Sequence, residues 1–209
     1  MKQSKIIINI GRQIGSGGSA IGKMLADEFG AKFYDRELLN LAAKESGFSE
    51  KFFEQNDERN GLIKSLFHSH IPLLGENNFY DNDFSQESLY RFQCDAIRKA
   101  AEEGSCVFVG RTADYVLRDM ENVIDIFITA DMDERIARVS ERRELDKEKA
   151  RKYILEGESR RASYYNYYTG KKWGSCESYD FSINSSLLGI EGTEHEIVSI
   201  IKKKNEVKI

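Results

Sequence analysis

Four glycines and two serines crowd into the short segment Gly11-Arg-Gln-Ile-Gly-Ser-Gly-Gly-Ser19. The segment follows an aliphatic run, Lys5-Ile-Ile-Ile-Asn-Ile10, and precedes a helical period in which Ile21, Met24, Leu25 and Phe29 recur at three- and four-residue spacing. A strand that enters a helix through such a loop gathers main-chain N–H groups and the positive end of the helix dipole around one small volume. The chemistry this favours is anion binding, phosphate above all. Four glycines in eight residues also exceed what a tight turn alone requires.

Two phosphate-binding patterns compete for these residues. Gly15-Ser-Gly-Gly-Ser-Ala20 fits the dinucleotide fingerprint G-x-G-x-x-A, and Asp35 stands about 20 residues on, where a ribose-binding acid would sit. That reading implies an NAD(P)-binding Rossmann protein. In that fold, however, the first glycine follows its strand almost directly, whereas Gly11-Arg-Gln-Ile14 intervenes here and enlarges the loop to P-loop size. The P-loop pattern G-x-x-x-x-G-K-[ST] is itself altered. With Gly15 and Gly17 in the inner places, Arg12 stands at the first glycine, Gly18 at the phosphate-binding lysine and Ser19 at the Mg²⁺-binding hydroxyl. Lys23 lies about one turn beyond Ser19, roughly 6 Å too far to replace that lysine. Arg12 is therefore the candidate for the missing charge, with Gly15, Ser16, Gly17, Gly18 and Ser19 cradling ATP phosphates.

The elements that must position this loop alternate. A short strand over 31–34 leads to Asp35, which can cap a helix over 36–44. From 48 to 85 the composition turns to Asn, Asp, Gly and His with the only proline, Pro72, and reads as a flexible insertion or substrate flap. His68 and His70 offer two nitrogens there, but no acid or cysteine joins them at metal-ligand spacing. A helix over 88–103 precedes the apolar strand Cys106-Val-Phe-Val109, which runs into Gly110-Arg111. Arg111 thus falls at the carboxyl edge of a sheet, where ligands of open α/β folds bind. A strand over 123–129, charged helices over 131–144 and 146–168, a last strand over 178–184 and a helix over 194–203 complete the pattern. Alternation of this kind implies an α/β fold with a mostly parallel sheet. The charges at Glu134, Arg138, Glu141, Arg142, Arg143 and Glu144 suit ion pairs along a solvated face, and at least half of Tyr164, Tyr165, Tyr167, Tyr168 and Trp173 suit core packing.

Composition bounds the function. With 209 residues, 40% hydrophobic and 32% charged, the chain is a single globular domain rather than a disordered one. Its 31 basic against 35 acidic side chains give −4, so attraction to nucleic acid or to an anionic membrane is not a whole-chain property and any anion site must be local. No apolar run approaches the roughly 20 residues of a membrane span, and the first residues lack a secretory apolar region, so a cytoplasmic protein is expected. Cys94, Cys106 and Cys176 form no Cys-x-x-Cys and read as reduced and mostly buried.

Together, Ile8-Asn-Ile-Gly-Arg-Gln-Ile-Gly-Ser-Gly-Gly18, Phe33-Tyr-Asp-Arg-Glu-Leu38, Val107-Phe-Val-Gly-Arg111, Ile126-Phe-Ile-Thr-Ala-Asp131 with Glu134-Arg135, and Tyr164-Tyr-Asn-Tyr-Tyr-Thr-Gly170 resemble the cytidylate kinase-like family. The resemblance implies a P-loop NTPase-type three-layer α/β/α fold over 1–209, with an acceptor-binding insertion over 48–87 and a lid over about 142–175. It implies ATP-dependent phosphoryl transfer, with Mg²⁺, to a CMP- or dCMP-like monophosphate or a related small molecule. Asp35 and Arg111 match the family's acceptor-binding places, Arg138 matches a lid arginine, and Arg160 and Arg161 stand where further lid arginines are expected. Where bacterial cytidylate kinases carry acids beside Gly-Arg, this chain has Val109 and Thr112, and Asp114 is a displaced candidate. Loss of the lysine leaves a second expectation open, a nucleotide-binding regulatory module without phosphoryl transfer.

Overall fold

The computed structural model describes residues 5–35 and 86–207. The expected helix over 36–44, the insertion over 48–85 and His68 with His70 lie outside the described residues. Strand β1 (Ile7–Arg12) leads through the glycine loop to helix α1 (Gly18–Glu28) and strand β2 (Lys32–Tyr34). Helix α2 (Gln86–Glu103), strand β3 (Cys106–Val109), the short helix α3 (Ala113–Val116) and strand β4 (Val123–Thr129) follow. Helices α4 (Met132–Arg143) and α5 (Lys147–Thr169), strand β5 (Phe181–Asn184) and helix α6 (Gly189–Val207) complete the chain. The chain divides into a sheet-bearing unit, Met1–Asp35 with Arg98–Ile209, and a second unit, Arg36–Ile97. Of the second, the described part is the first stretch of α2.

All strand pairings are parallel, in the order β2-β3-β1-β4-β5. Because β3 lies between β1 and β2, the order differs from that of a dinucleotide-binding sheet, in which the second strand adjoins the first. The NAD(P)-binding alternative is thereby corrected. The order also puts a switch point beside β1: β1 connects to β2 on its β3 side, whereas β3 connects back past β1 to β4, so a crevice opens at the carboxyl ends of β1 and β3.

Parallel strands covered on both faces read as continuous apolar runs, and β1 and β3 do so. On one face Ile8, Ile10, Val107, Val109, Ile126 and Ile128 pack with Ile21 and Leu25 of α1 and Ile197 and Ile201 of α6. On the other, Phe127 packs with Tyr165 of α5, Tyr179 and Trp173. Tyr165 and Tyr179 are buried while Tyr167 is exposed, so the tyrosine-rich segment divides between core and surface. Helices α4 and α5 join through Val139, Ala150, Ile154 and the loop residue Ile14.

The structure shifts some element boundaries. Strand β1 continues two residues beyond the aliphatic run, because Gly11 and Arg12 pair with Phe127 and Ile128 of the longer β4. A Cβ at Gly11 would lie 2.6 Å from the Phe127 ring, so close sheet packing, not a turn, demands that glycine. Helix α6 begins at Gly189, ahead of the apolar periodicity used to place it. Cys94 and Cys106 are buried and Cys176 is exposed; none is in a disulfide. No described helix is long and apolar enough to cross a membrane.

Asn9 and Asp125, adjacent on β1 and β4, put polar groups inside this core. Asn9 Nδ2 donates to Asp125 Oδ1 at 2.8 Å, while Asn9 Oδ1 is buried with no partner among the described residues. Burial, opposed by the Asn9 hydrogen bond and reinforced by the charges of Asp114 and Asp180, pushes the Asp125 carboxyl up to about 6. Lys171 acts weakly in the opposite sense. The folded protein then holds this proton more tightly than the unfolded chain, so this group's contribution to stability is greatest below about pH 4 and is lost as the pH rises to about 6. Asp125→Asn removes the buried charge and supplies an N–H beside the orphan oxygen. Thermal unfolding at pH 3.5 and pH 7.5 should show a gain of about 1–3 kcal/mol at the higher pH and little at the lower; an equal or opposite effect at the two pH values would refute the assignment.

Candidate phosphate-binding site

The loop from Gln13 to Gly17 sits at the switch point, and neighbouring side chains fix the direction of its peptides. Glu158 Oε1 accepts from the Ile14 N–H at 3.1 Å, and Arg135 Nε donates to the Ile14 carbonyl at 2.8 Å. Arg135 Nη2 pairs with the same Glu158 oxygen, so Ile14 is bracketed at both ends of its backbone. Arg138 Nη1 donates to the Gly15 carbonyl at 3.1 Å, and Ser185 Oγ donates to the Ser16 carbonyl at 2.7 Å. Three consecutive carbonyls are thus turned outward and held. In a planar trans peptide the N–H opposes the C=O, so the amides that follow are aimed away from these side chains.

Helix α1 continues the same surface. Its N-cap, Gly17, has φ 78° and no side-chain cap. Among the described residues nothing accepts from the amides of Gly18, Ser19 and Ala20, the first-turn donors that a helix cannot satisfy internally. An anion is a natural acceptor for such a helix end. Gly15 is required on two grounds: its φ is 81°, and a Cβ would lie 2.7 Å from the Arg135 carbonyl oxygen.

Gly18 is a glycine for a different reason. A Cβ there would lie 2.6 Å from Arg12 Cβ and 3.0 Å from Arg12 Cγ. The stem of Arg12 therefore fills the space through which a side chain at position 18 would leave the helix. From there Arg12 reaches the end of β3, where a Cβ at Gly110 would lie 1.9 Å from its Nη1. Its Nη2 stands 3.6 Å from Asp35 Oδ1. Asp35 also accepts from Ser19 Oγ at 2.8 Å. The structure thus brings Arg12, Gly18, Ser19, Asp35 and Gly110 together.

Arg161 and Arg160 separate. Arg161 Nη1 donates to the Arg12 carbonyl at 3.0 Å, whereas Arg160 lies beside Gly157. Burial, followed by the neighbouring Arg12 charge, lowers the Arg161 guanidinium to about 9. Two converging guanidiniums are a favourable arrangement for a phosphate oxygen. Arg138 carries an i,i+4 ion pair to Glu134 at 2.6 Å besides its loop contact.

Arg111 follows β3 within three successive left-handed residues, Gly110 at φ 77°, Arg111 at 66° and Thr112 at 57°. Outside glycine such geometry costs of order 1–3 kcal/mol per residue and persists where the surroundings impose it. Here α3 follows at once, and Tyr165 OH donates to the buried Asp114 at 2.5 Å. Burial raises the Asp114 carboxyl above its ordinary range, the Tyr165 hydrogen bond opposing it. Asp114 thus anchors the turn in the core.

Sequence reasoning quoted Arg135 only within the Glu134-Arg135 pair of the family resemblance, with no role of its own, and did not single out Glu158 or Ser185. Arg135 and Glu158 lie in charge-rich helices whose spacing also suits surface ion pairs, and Ser185 is an unremarked serine after a strand. The one available signal was Gly157 within α5, a poor helix residue. A Cβ there would lie 2.3 Å from Ile14 Cδ1, which marks the close approach of α5 to the loop.

A glycine loop of this build, at the switch point of a parallel sheet with helices on both faces, defines a P-loop kinase-type α/β protein. The chain belongs to the cytidylate kinase-like family, whose profile matches residues 7–187. It is 27% identical over 194 residues to a cytidylate kinase of Pyrococcus horikoshii, covering 92% of this chain and 86% of that one. It is 26% identical over 205 residues to a cytidylate kinase of Methanopyrus kandleri, covering 94% and 91%. Among solved structures, an uncharacterized protein of Eubacterium ventriosum superposes with a TM-score of 0.72 at 28% identity, covering 95% of this chain and 99% of that one. A shikimate kinase of Bacteroides thetaiotaomicron shares the fold with a TM-score of 0.53 at 13% identity, covering 95% and 99%.

Gly18→Ala isolates the steric argument. Gly-to-Ala in a helix ordinarily stabilises by about 0.5–1 kcal/mol, but here the Cβ must displace Arg12. Thermal unfolding should show Gly18→Ala losing stability while Gly104→Ala, whose Cβ meets nothing within 4 Å, does not. Equal behaviour of the two variants would refute the packing of Arg12 against position 18.

Proposed function

We propose that this protein transfers a phosphoryl group from Mg·ATP to a nucleoside monophosphate, with CMP and dCMP as the first acceptors to test. Relatives named cytidylate kinase support the substrate class. The observation that carries the reading is the crossing of Arg12 over Gly18, which brings a guanidinium between the phosphate loop and the end of β3.

In the proposed reaction an ionised phosphate oxygen of the acceptor attacks the γ-phosphorus of ATP as the bond to the β–γ bridging oxygen breaks, and ADP leaves. The nucleophile already carries its charge, so no side chain need remove a proton. What the site must supply is alignment and neutralisation of converging negative charge. The loop from Gly15 to Ser19 holds the donor phosphates through its amides, that of Ser16 apart, which donates to the Gln13 carbonyl at 3.4 Å. Arg12 takes the part of the absent lysine, Arg161 joins it from α5, and Arg111 meets the acceptor from the β3 turn. Arg138 acts through the Gly15 carbonyl, and Arg160 belongs to the rim of α5. Ser19 Oγ and Asp35 are hard oxygen donors side by side, which fits Mg²⁺. When bound, the ion would neutralise the donor oxygens. Asp35 then serves the ion and Arg12 as well as the acceptor.

The test is ADP release and product mass with ATP, Mg²⁺ and a panel of monophosphates and small alcohols. Phosphorylated CMP or another monophosphate supports the proposal; ATP binding without turnover assigns the nucleotide-binding regulatory module instead. Arg12→Ala should lower kcat/KM about 10²–10³-fold, the scale of one lost transition-state donor. The reciprocal variant Arg12→Gly with Gly18→Lys rebuilds the usual P-loop pattern and should recover part of that loss. Arg12→Ala with undiminished activity would remove the assignment.

A further inference from the structure

The carbonyls of Ile14, Gly15 and Ser16 are each held by a side chain from the sheet-bearing unit: two from α4, Arg135 and Arg138, and one, Ser185, from the segment after β5. Glu158 from α5 closes the set by accepting from Ile14 N–H and pairing with Arg135. Arg135 and Ser185 are almost wholly buried, so these contacts are not solvated surface pairs. A donor on a carbonyl polarises its peptide and strengthens the N–H on the other side as a donor. The geometry points to Glu158 and Ser185 as positioning residues for donor-phosphate binding, acting only through the backbone of residues 14–17. This inference rests on reading that loop as the phosphate site.

The sign of one substitution separates this role from simple electrostatics. Glu158 is an acid close to a loop assigned to anions. If it mattered only as a charge, Glu158→Gln would remove repulsion, release Arg135 from its counter-ion and tighten anion binding. If Glu158 sets the loop, the same change frees Arg135 and weakens the grip on Ile14, so anions bind less well. Gly157 adds to the second view, since α5 sacrifices helix propensity to bring this turn against Ile14. Ser185→Ala provides a charge-neutral version, leaving the Ser16 carbonyl without its donor.

Calorimetric titration of the full chain with inorganic tripolyphosphate, without metal, reads this directly, with thermal unfolding as the check that each variant is folded. Glu158→Gln should bind about tenfold more weakly than the unaltered protein, and Ser185→Ala several-fold more weakly, the scale of one lost hydrogen bond to a charged or buried group. In turnover the donor KM should rise while the acceptor KM stays put. Folded Glu158→Gln binding equally or more tightly overturns the inference while leaving the phosphate loop intact. Should that variant not fold, Ser185→Ala with unchanged affinity overturns it instead. Failure of the unaltered protein to bind tripolyphosphate overturns the phosphate-loop reading itself, and this inference with it.

Discussion

Positions 12 and 18 cannot both carry a side chain that uses the same space. The end of β1 and the start of α1 approach so closely that a Cβ at residue 18 would stand 2.6 Å from that of residue 12, well inside van der Waals contact. The usual P-loop gives position 12 to glycine and position 18 to lysine; this chain makes the opposite choice. What looks like two independent departures from a motif is one exchange, and it delivers a cation to the same crevice from the strand instead of the helix. A guanidinium on a strand end is planar and can span two neighbours. Here it reaches Asp35 and the Gly110 backbone at once.

The rest of the site follows from the need to hold a loop of short residues in a single shape. Glycines permit the left-handed turns at 15 and 17 but contribute no contacts of their own. The shape must therefore come from outside, and α4, α5 and the segment after β5 supply it. Helix α5 reaches the site at successive positions: Glu158 meets the loop, Arg161 meets Arg12, and Tyr165 meets Asp114 below the Arg111 turn. These lie three and four residues apart, along one face. The half of α5 that carries the arginines is thus tied to both β1 and the turn after β3.

Much of the architecture was legible before folding was considered. Strands of Ile and Val, alternating with helical periods, announced a parallel sheet, and β3 and β4 fall where apolar runs place them. The glycine loop, Ser19 and the exchange at Arg12 were visible because local chemistry alone makes them unusual. Of the residues that hold the loop, Arg138 was named through the family resemblance, but the roles of Arg135, Glu158 and Ser185 were not visible, since Glu158 and Arg135 have the composition and spacing of an ordinary charged helix surface. Nothing local says that these particular side chains turn inward.

By itself the sequence determined the class of chemistry: backbone amides exposed by glycine at a strand-to-helix junction favour phosphate whatever surrounds them. It also determined the alternating fold, because periodicity is a local property of the chain. Only tertiary structure decided which charges act. Arg161 rather than Arg160 meets Arg12, and Asp35 lies against Ser19, because strand order and helix packing set distances between residues far apart in sequence. Electrostatic and steric contacts fall off over a few ångströms, so the choice among chemically equivalent side chains is made when the chain folds.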